Sequence, residues 1–379
     1  MSLFLLFFFA IYGTLHLYAF LKVRAAFGPL RPDVLIATIL FLTAMTVAPL
    51  LVRLAERKGF EALAGALAQI GYLWLGFIFL FVCVAAAIDL YRVLAFLVDL
   101  VARTDRLLPR ISALAAFLLP CCMAIGISVY GYFEAQAIRT EHVVLTSPKI
   151  PAALGRLRIV QISDVHLGLM VGARRLTAIL DAVRKAEPDL LVSTGDLVDG
   201  QADGLAGLAG QLAAVHPPYG KYAITGNHEF YAGIGQSLAF TRQAGFTVLR
   251  NREVTVAGAL NLVGIDDPAG RAMGEDLADK EKEVLTSLDP DRFTLLLKHR
   301  PSINPESKGL FDLQLSGHVH MGQIFPFNLL TWWFYPVHAG RLNRIDDHWL
   351  YVSRGSGTWG PPIRFLAPPE VTIIDLRHG

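Results

Sequence analysis

Four stretches of this sequence, Leu3–Leu21, Val34–Val52, Leu67–Ile88 and Ile111–Tyr132, contain no Lys, Arg, Asp or Glu. A helix of about 20 apolar residues is what crosses the hydrocarbon core of a bilayer, where every backbone polar group must find its partner inside the segment. One such run is compatible with a buried core helix, but four in succession predict a four-helix transmembrane region over residues 1–133. Composition agrees. Hydrophobic residues make up 54% and charged ones 17% of the chain, against about 45–50% and about 25% in ordinary soluble proteins. The first run has no basic residue before it, and Lys22 and Arg24 follow it, so it reads as a retained helix rather than a cleaved signal. The third continues into an amphipathic stretch, Asp89 to Arg103, predicted to emerge along the membrane surface. Pro120 predicts a kink in the fourth. Cys83, Cys121 and Cys122 all fall in apolar runs, as buried thiols without a disulfide framework.

Charge near the helix ends bears on orientation. Lys22, Arg24, Arg31, Arg92, Arg103, Arg106 and Arg110 lie on one side, seven residues, against five on the other: Arg53, Arg57, Lys58, Arg139 and Lys149. The bias places both termini outside the cytoplasm. A net charge of +2 argues against nucleic acid as a partner.

From about Glu134 to residue 379 the pattern is that of a soluble α/β domain. Short apolar runs, Leu157–Ile162, Asp189–Thr194, Lys221–Thr225, Leu260–Ile265, Phe293–Leu297 and Phe311–Leu315, predict strands. Helical patterns such as Ala173–Ala186 and Glu275–Leu288 separate several of them. Buried strands alternating with helices predict a sheet covered on both faces by helices.

Polar residues cluster just after these strands. Ser163-Asp164-Val165-His166 follows the first, Gly195-Asp196 with Asp199 the second, and Gly226-Asn227-His228-Glu229 the third. His299 follows Phe293–Leu297, and Gly317-His318-Val319-His320 follows Phe311–Leu315. Ligands in open α/β sheets bind beyond the carboxyl ends of strands. Carboxylates, one amide and five imidazoles delivered to one rim make a metal site suited to Mn, Fe or Zn, with too many donors for one ion. Two ions about 3.5–4 Å apart clamp a phosphoryl oxygen and activate a water or hydroxide. Glycine before Asp196, Asn227 and His318 predicts close backbone approach. A lone Asp-x-His or Gly-Asp is a common turn; five such motifs in order, each behind a strand, are not.

These blocks closely resemble those of the calcineurin-like metallophosphoesterase superfamily, from about Gly155 to Leu376. The resemblance implies an αββα sandwich, a β-sheet core flanked by helices, and hydrolysis of phosphoester or pyrophosphate bonds. By the same resemblance Asp164, His166 and His320 bind a first metal, Asn227, His299 and His318 a second, and Asp196 bridges them. His228 faces the phosphate as a catalytic residue, oriented by Asp199. Two divalent ions are implied, Mn²⁺ foremost, with Fe, Zn or Co as alternatives. Met321 departs from the usual glycine after the second histidine. Ile162–Gly168, Gly317–Gln323, Leu350–Gly355 and Ala367–Glu370 look like the bacterial branch with membrane anchors or export signals; with the four apolar runs, that likeness implies a multi-pass protein of the bacterial inner membrane. A more distant likeness is to the UDP-2,3-diacylglucosamine pyrophosphohydrolases of lipid A synthesis.

Phe325 to Pro336 is rich in aromatics. It reads as a cap over an apolar substrate tail or a loop resting on lipid, or else as a local core. The first readings imply a lipid-phosphate or nucleotide-lipid substrate and the bilayer as a partner. Arg300, Arg341 and Arg354 are candidates for gripping phosphate, though each is as compatible with a structural role, and His338 and His348 lack a motif context. A sensor or scaffold with a degenerate domain would lack a ligand, and none is missing. A transporter finds no intramembrane charge for a substrate path.

Overall fold

The computed structural model describes residues 3–104, 107–200, 205–274 and 280–379. The chain divides into two compact units, one reaching to Tyr132 and taking in Gly360–Pro362, the other made of Phe133–Trp359 and Ile363–Gly379.

The first unit is helical: α1 (Leu3–Phe27), α2 (Pro32–Arg57), α3 (Glu61–Ala102) and α4 (Ala115–Gln136). All four are long and apolar enough to cross a membrane. They outlast the charge-free runs, so Lys22, Arg24 and Arg92 stand on helices rather than in loops. α3 is one helix of 42 residues, roughly 60 Å at 1.5 Å per residue. The stretch from Asp89 to Ala102 is part of this same helix. Its first charge is satisfied within the unit: Tyr18 donates to Asp89 at 2.7 Å, and Lys22 pairs with the same carboxylate. Trp74 of α3 donates to Nε2 of His16 on α1 at 2.9 Å. A Cβ on Gly71 would meet Ala48 at 3.0 Å, so α2 and α3 approach through small residues. α4 runs through Pro120 without interruption. Cys122 is exposed and Cys83 and Cys121 half-buried, which corrects the expectation that all three are buried. The reason is that many apolar residues of these helices face outward from the unit and are not covered by other parts of the chain.

The second unit contains β1 (Arg139–Thr146), β2 (Arg156–Ile162), α5 (Ala173–Lys185), β3 (Leu190–Ser193), α6 (Ala206–Ala213), β4 (Lys221–Ala223), α7 (Asn227–Ala232) and α8 (Ile234–Gln243). These are followed by β5 (Thr247–Val248), β6 (Arg252–Val256), β7 (Leu260–Ile265), α9 (Ala269–Ala272), α10 (Glu281–Thr286), β8 (Phe293–Lys298) and β9 (Leu313–Ser316). α11 (Phe327–Phe334), β10 (Leu342–Ile345), β11 (His348–Val352) and β12 (Glu370–Arg377) complete it. All six predicted strands are present. The predicted helix Glu275–Leu288 lies partly outside the described residues; within them it is α10.

The strands form two six-stranded sheets, ordered β1-β12-β2-β3-β4-β5 and β10-β11-β9-β8-β7-β6. Ile159, Val192 and Ile374 of the first pack with Leu262, Leu295, Leu315 and Tyr351 of the second in one buried core. On its other face the first sheet sets Val160 and Leu191 against Leu176, Leu180 and Val183 of α5 and Phe240 of α8. The second sets Val263 and Leu296 against Val284 and Leu285 of α10. Each sheet thus carries helices on one face and the other sheet on its second. The alternating pattern read alone, one sheet with helices on both faces, is corrected in this respect, while the αββα sandwich implied by the family resemblance is what forms. A strand buried on both sides has the same composition whichever element covers it.

Candidate metal centre

Strands β2, β3 and β4 run parallel in one sheet, and β8 and β9 in the other. Their carboxyl ends deliver the candidate metal ligands, with Asp199 and His228, to one place. Asp164 and His166 follow β2, Asp196 and Asp199 follow β3, Asn227 and His228 open α7 after β4, His299 follows β8, and His318 and His320 follow β9.

Two groups of donors form. In the first, Nε2 of His166 lies 3.0 Å from Nε2 of His320, which is 3.3 Å from Oδ1 of Asp164. In the second, Nε2 of His299 is 3.2 Å from Oδ1 of Asn227, 3.3 Å from Nδ1 of His318 and 3.2 Å from Oδ2 of Asp196. Donors bonded to one cation at about 2.0–2.2 Å and at roughly right angles lie about 3 Å apart, so both groups have the spacing a divalent ion requires. The donor set is nitrogen and oxygen with no thiolate, which suits Mn, Fe or Zn. Asp196, a member of the second group, also faces the first, its Oδ2 being 3.8 Å from Nε2 of His166. The same carboxylate also forms a close cluster with His166 and His228.

The backbone is strained to achieve this. Asp164, His166, Asp196, His318 and His320 have φ of 50°, 55°, 52°, 72° and 48°, left-handed values that cost an L-residue about 1–2 kcal/mol each. Neighbouring loops hold them there: the amide of Asp164 donates to Gly195, and that of His166 to Asp196, each at 3.0 Å. Met321 is also left-handed, at φ 50°, which gives a physical reason for the glycine usual at that position. Gly226 and Gly317 answer a different need. A Cβ on Gly226 would stand 2.1 Å from Oδ1 of Asp196, and one on Gly317 2.0 Å from Oγ of Ser163. The loops meet only because both side chains are absent.

Hydrogen bonds fix the ring orientations. Nδ1 of His299 lies 2.8 Å from the carbonyl of Thr194, which turns Nε2 inward. Burial lowers His318 and His320 to about 4, leaving neutral imidazoles. Burial also pushes His228 and His299 down, but adjacent carboxylates, Asp196 foremost, outweigh it and hold them at about 9 and about 10. At His299 a metal ion would replace that proton. Nδ1 of His228 is 2.5 Å from Oδ1 of Asp199.

Two supporting residues were not foreseen. The buried carboxylate of Glu229 accepts from the amides of Gly226 and Leu197 at 2.7 Å, Asp196 at 3.0 Å and Val198 at 3.3 Å. It ties the Asp196 loop to the start of α7. Its position three residues after Gly226, the capping-box spacing, was the available signal. Arg364 is fully buried and donates to the carbonyls of Arg354 at 2.6 Å, Gly357 at 2.6 Å, Ala367 at 3.1 Å and His320 at 3.2 Å; no local motif announces it.

Two of the three candidate phosphate-gripping arginines are engaged with carboxylates. Arg300 makes a two-pronged pair with Asp267 at 2.8 and 3.0 Å. Arg354 pairs with Glu141 and Glu370, and Arg341 is exposed. The aromatic segment is not a local core, because α11 has no buried residue. Beyond it Tyr335, Val337 and Ala339 pack inward, against Val319, Leu350 and Val352.

Residues 157–322 match the profile of the calcineurin-like phosphoesterase family. An uncharacterized metallophosphoesterase of Aquifex aeolicus (strain VF5) is 37% identical over 257 residues, 67% of this chain and 98% of its own. One of Helicobacter pylori (strain J99) is 33% identical, covering 66% of this chain and 68% of its own. A transmembrane protein with metallophosphoesterase domain from Danio rerio is 33% identical over 67% of this chain, which spans 61% of that protein's length. With these matches and a donor set of the right chemistry at its strand ends, the chain belongs to the calcineurin-like metallophosphoesterase family of metal-dependent phosphoester hydrolases, here in one chain with four apolar helices long enough to cross a membrane.

Proposed function

We propose that this protein is a membrane-anchored phosphoesterase that works with two divalent ions. Asp164, His166 and His320 would hold one, Asn227, His299 and His318 the other, and Asp196 would be shared. The observation that carries this reading is the position of Asp196, whose Oδ2 is 3.8 Å from His166 in one group and 3.2 Å from His299 in the other. Such a pair of ions, Mn²⁺ foremost, supplies Lewis-acid charge and an activated water for in-line attack at phosphorus.

The chain's own groups do the rest. Asp199 engages Nδ1 of His228, which leaves Nε2 to meet the phosphoryl group, giving a proton to the departing oxygen or stabilising charge on it. Asp199 is a positioning residue. The four spans support a substrate found at the membrane, a lipid phosphate or nucleotide-lipid, and the Lys and Arg bias supports a catalytic domain outside the cytoplasm of a bacterial inner membrane. A UDP-diacylglucosamine-type pyrophosphohydrolase is the alternative, and it requires the cytoplasmic face. A C-terminal reporter fusion separates the two.

The test is hydrolysis of a panel of phosphomonoesters, phosphodiesters and UDP-linked lipids by the full chain, with Mn²⁺ and with chelator. Chelation is expected to abolish turnover, and Asp196→Asn to lower it by at least about a hundredfold. Activity that survives chelation, or full turnover in Asp196→Asn, rejects the reading.

A further inference from the structure

The helix α11, Phe-Asn-Leu-Leu-Thr-Trp-Trp-Phe, has no buried residue although it is almost wholly apolar. Trp333 is 78% exposed, Phe334 69%, Leu329 62% and Trp332 54%, with Phe325 and Phe327 beside them. No Lys, Arg, Asp or Glu occurs between His320 and Gly340. An apolar surface of this extent in water marks an interaction site.

The helix is tied at both ends to the metal centre. At its start, a Cβ on Gly322 would stand 2.3 Å from the amide nitrogen of Asn328, so α11 lies directly on the turn that carries His320. At its end, the Tyr335 amide donates to Thr331 at 2.8 Å, and the Tyr335 ring packs edge-on to His318 with centroids 5.6 Å apart. The turn continues to Gln323, which exchanges hydrogen bonds of 2.8 and 2.9 Å with the backbone of Trp359. The Trp359 ring is half-exposed and 5.8 Å from that of His228. Exposed aromatics therefore border the candidate ligands His318 and His320 and the candidate acid His228.

We infer that α11 inserts into the interfacial region of a lipid bilayer, and that it thereby presents the metal centre to phosphate groups carried by lipids. Trp and Tyr favour that region, where a flat apolar ring meets a hydrated headgroup layer. The occupant follows from the chain itself: only Ala137 and Ile138 separate the end of α4 from β1. A domain on so short a tether is held at the bilayer surface at high effective concentration. For its substrate the inference rests on the phosphoesterase reading; for the bilayer contact it does not.

The experiment places the full chain in nanodiscs of phosphatidylcholine and phosphatidylglycerol, some with acyl chains brominated near the headgroup. Emission from Trp332 and Trp333 is taken as the difference between the protein and Trp332→Phe/Trp333→Phe. Strong quenching by brominated lipid and protection from aqueous iodide are expected. Quenching by iodide alone overturns the inference, as does protection from both quenchers accompanied by a change in oligomeric state, which would mean a second copy covers the helix. A second measurement compares Trp332→Asp/Trp333→Asp with the parent. Hydrolysis of a phospholipid in the nanodisc should fall about tenfold or more while a soluble aryl phosphodiester is hydrolysed within about twofold. Equal loss on both would make α11 a structural element only. Quenching by lipid in a protein that hydrolyses no phosphoester would reject the phosphoesterase reading and leave the bilayer contact standing.

Discussion

Oδ1 of Asp199 lies 2.5 Å from Nδ1 of His228 while the backbone amide of His228 donates to Asp196 at 2.8 Å, so two carboxylates grip one histidine from different sides. Burial pulls this imidazole down, and Asp196 and Asp199 outweigh it, raising it to about 9. A proton needed on His228 is thus present below that pH and lost as pH rises through it. Turnover is expected to decline on an alkaline limb. In Asp199→Asn one anion is gone, so the limb should move to lower pH and the rate should fall about 10- to 1,000-fold. A pH–rate profile of both proteins checks this; an unmoved limb would show that Asp199 does not act through His228.

Glu229 is the common acceptor for the loops carrying Asp196 and Asn227. Glu229→Gln replaces two carboxylate oxygens with one carbonyl and points an amide at backbone donors. The expected outcome is a loss of about 1–3 kcal/mol and metal affinity weakened about 10- to 100-fold. Thermal unfolding in nanodiscs and metal titration measure the two. Unchanged affinity would mean that the loops hold their places without this carboxylate.

Arg364 satisfies carbonyls from the His320 turn and from the loops around Arg354, Gly357 and Ala367. Arg364→Met removes this donor from the carbonyls of Arg354, Gly357 and Ala367, and about 1–3 kcal/mol of stability should be lost. Arg364→Lys keeps the charge without the planar fork, so its unfolding midpoint should fall between those of Met and Arg. A Met variant as stable as the parent would refute the role.

Much of this molecule is present in local pattern. The charge-free runs announced α1 to α4, because a bilayer's demand for apolar length is written residue by residue. The strand-end motifs announced the candidate ligands, because a parallel sheet places all its carboxyl ends on one edge wherever its helices lie. β12 was missed although Pro368-Pro369 stand just before it, and its position between β1 and β2 depends on residues more than 200 positions away.

What the sequence by itself determined is therefore the membrane unit, the α/β character of the rest and the identity of the metal-binding candidates. Tertiary structure alone decided that two sheets share a core, that Glu229 and Arg364 brace the ligand loops, and that α11 stands in the open instead of forming a core. The physical reason is common to all three. Apolar periodicity reports that a face is covered and polar residues report that a partner exists, but which element covers and which residue pairs is fixed only when distant segments pack.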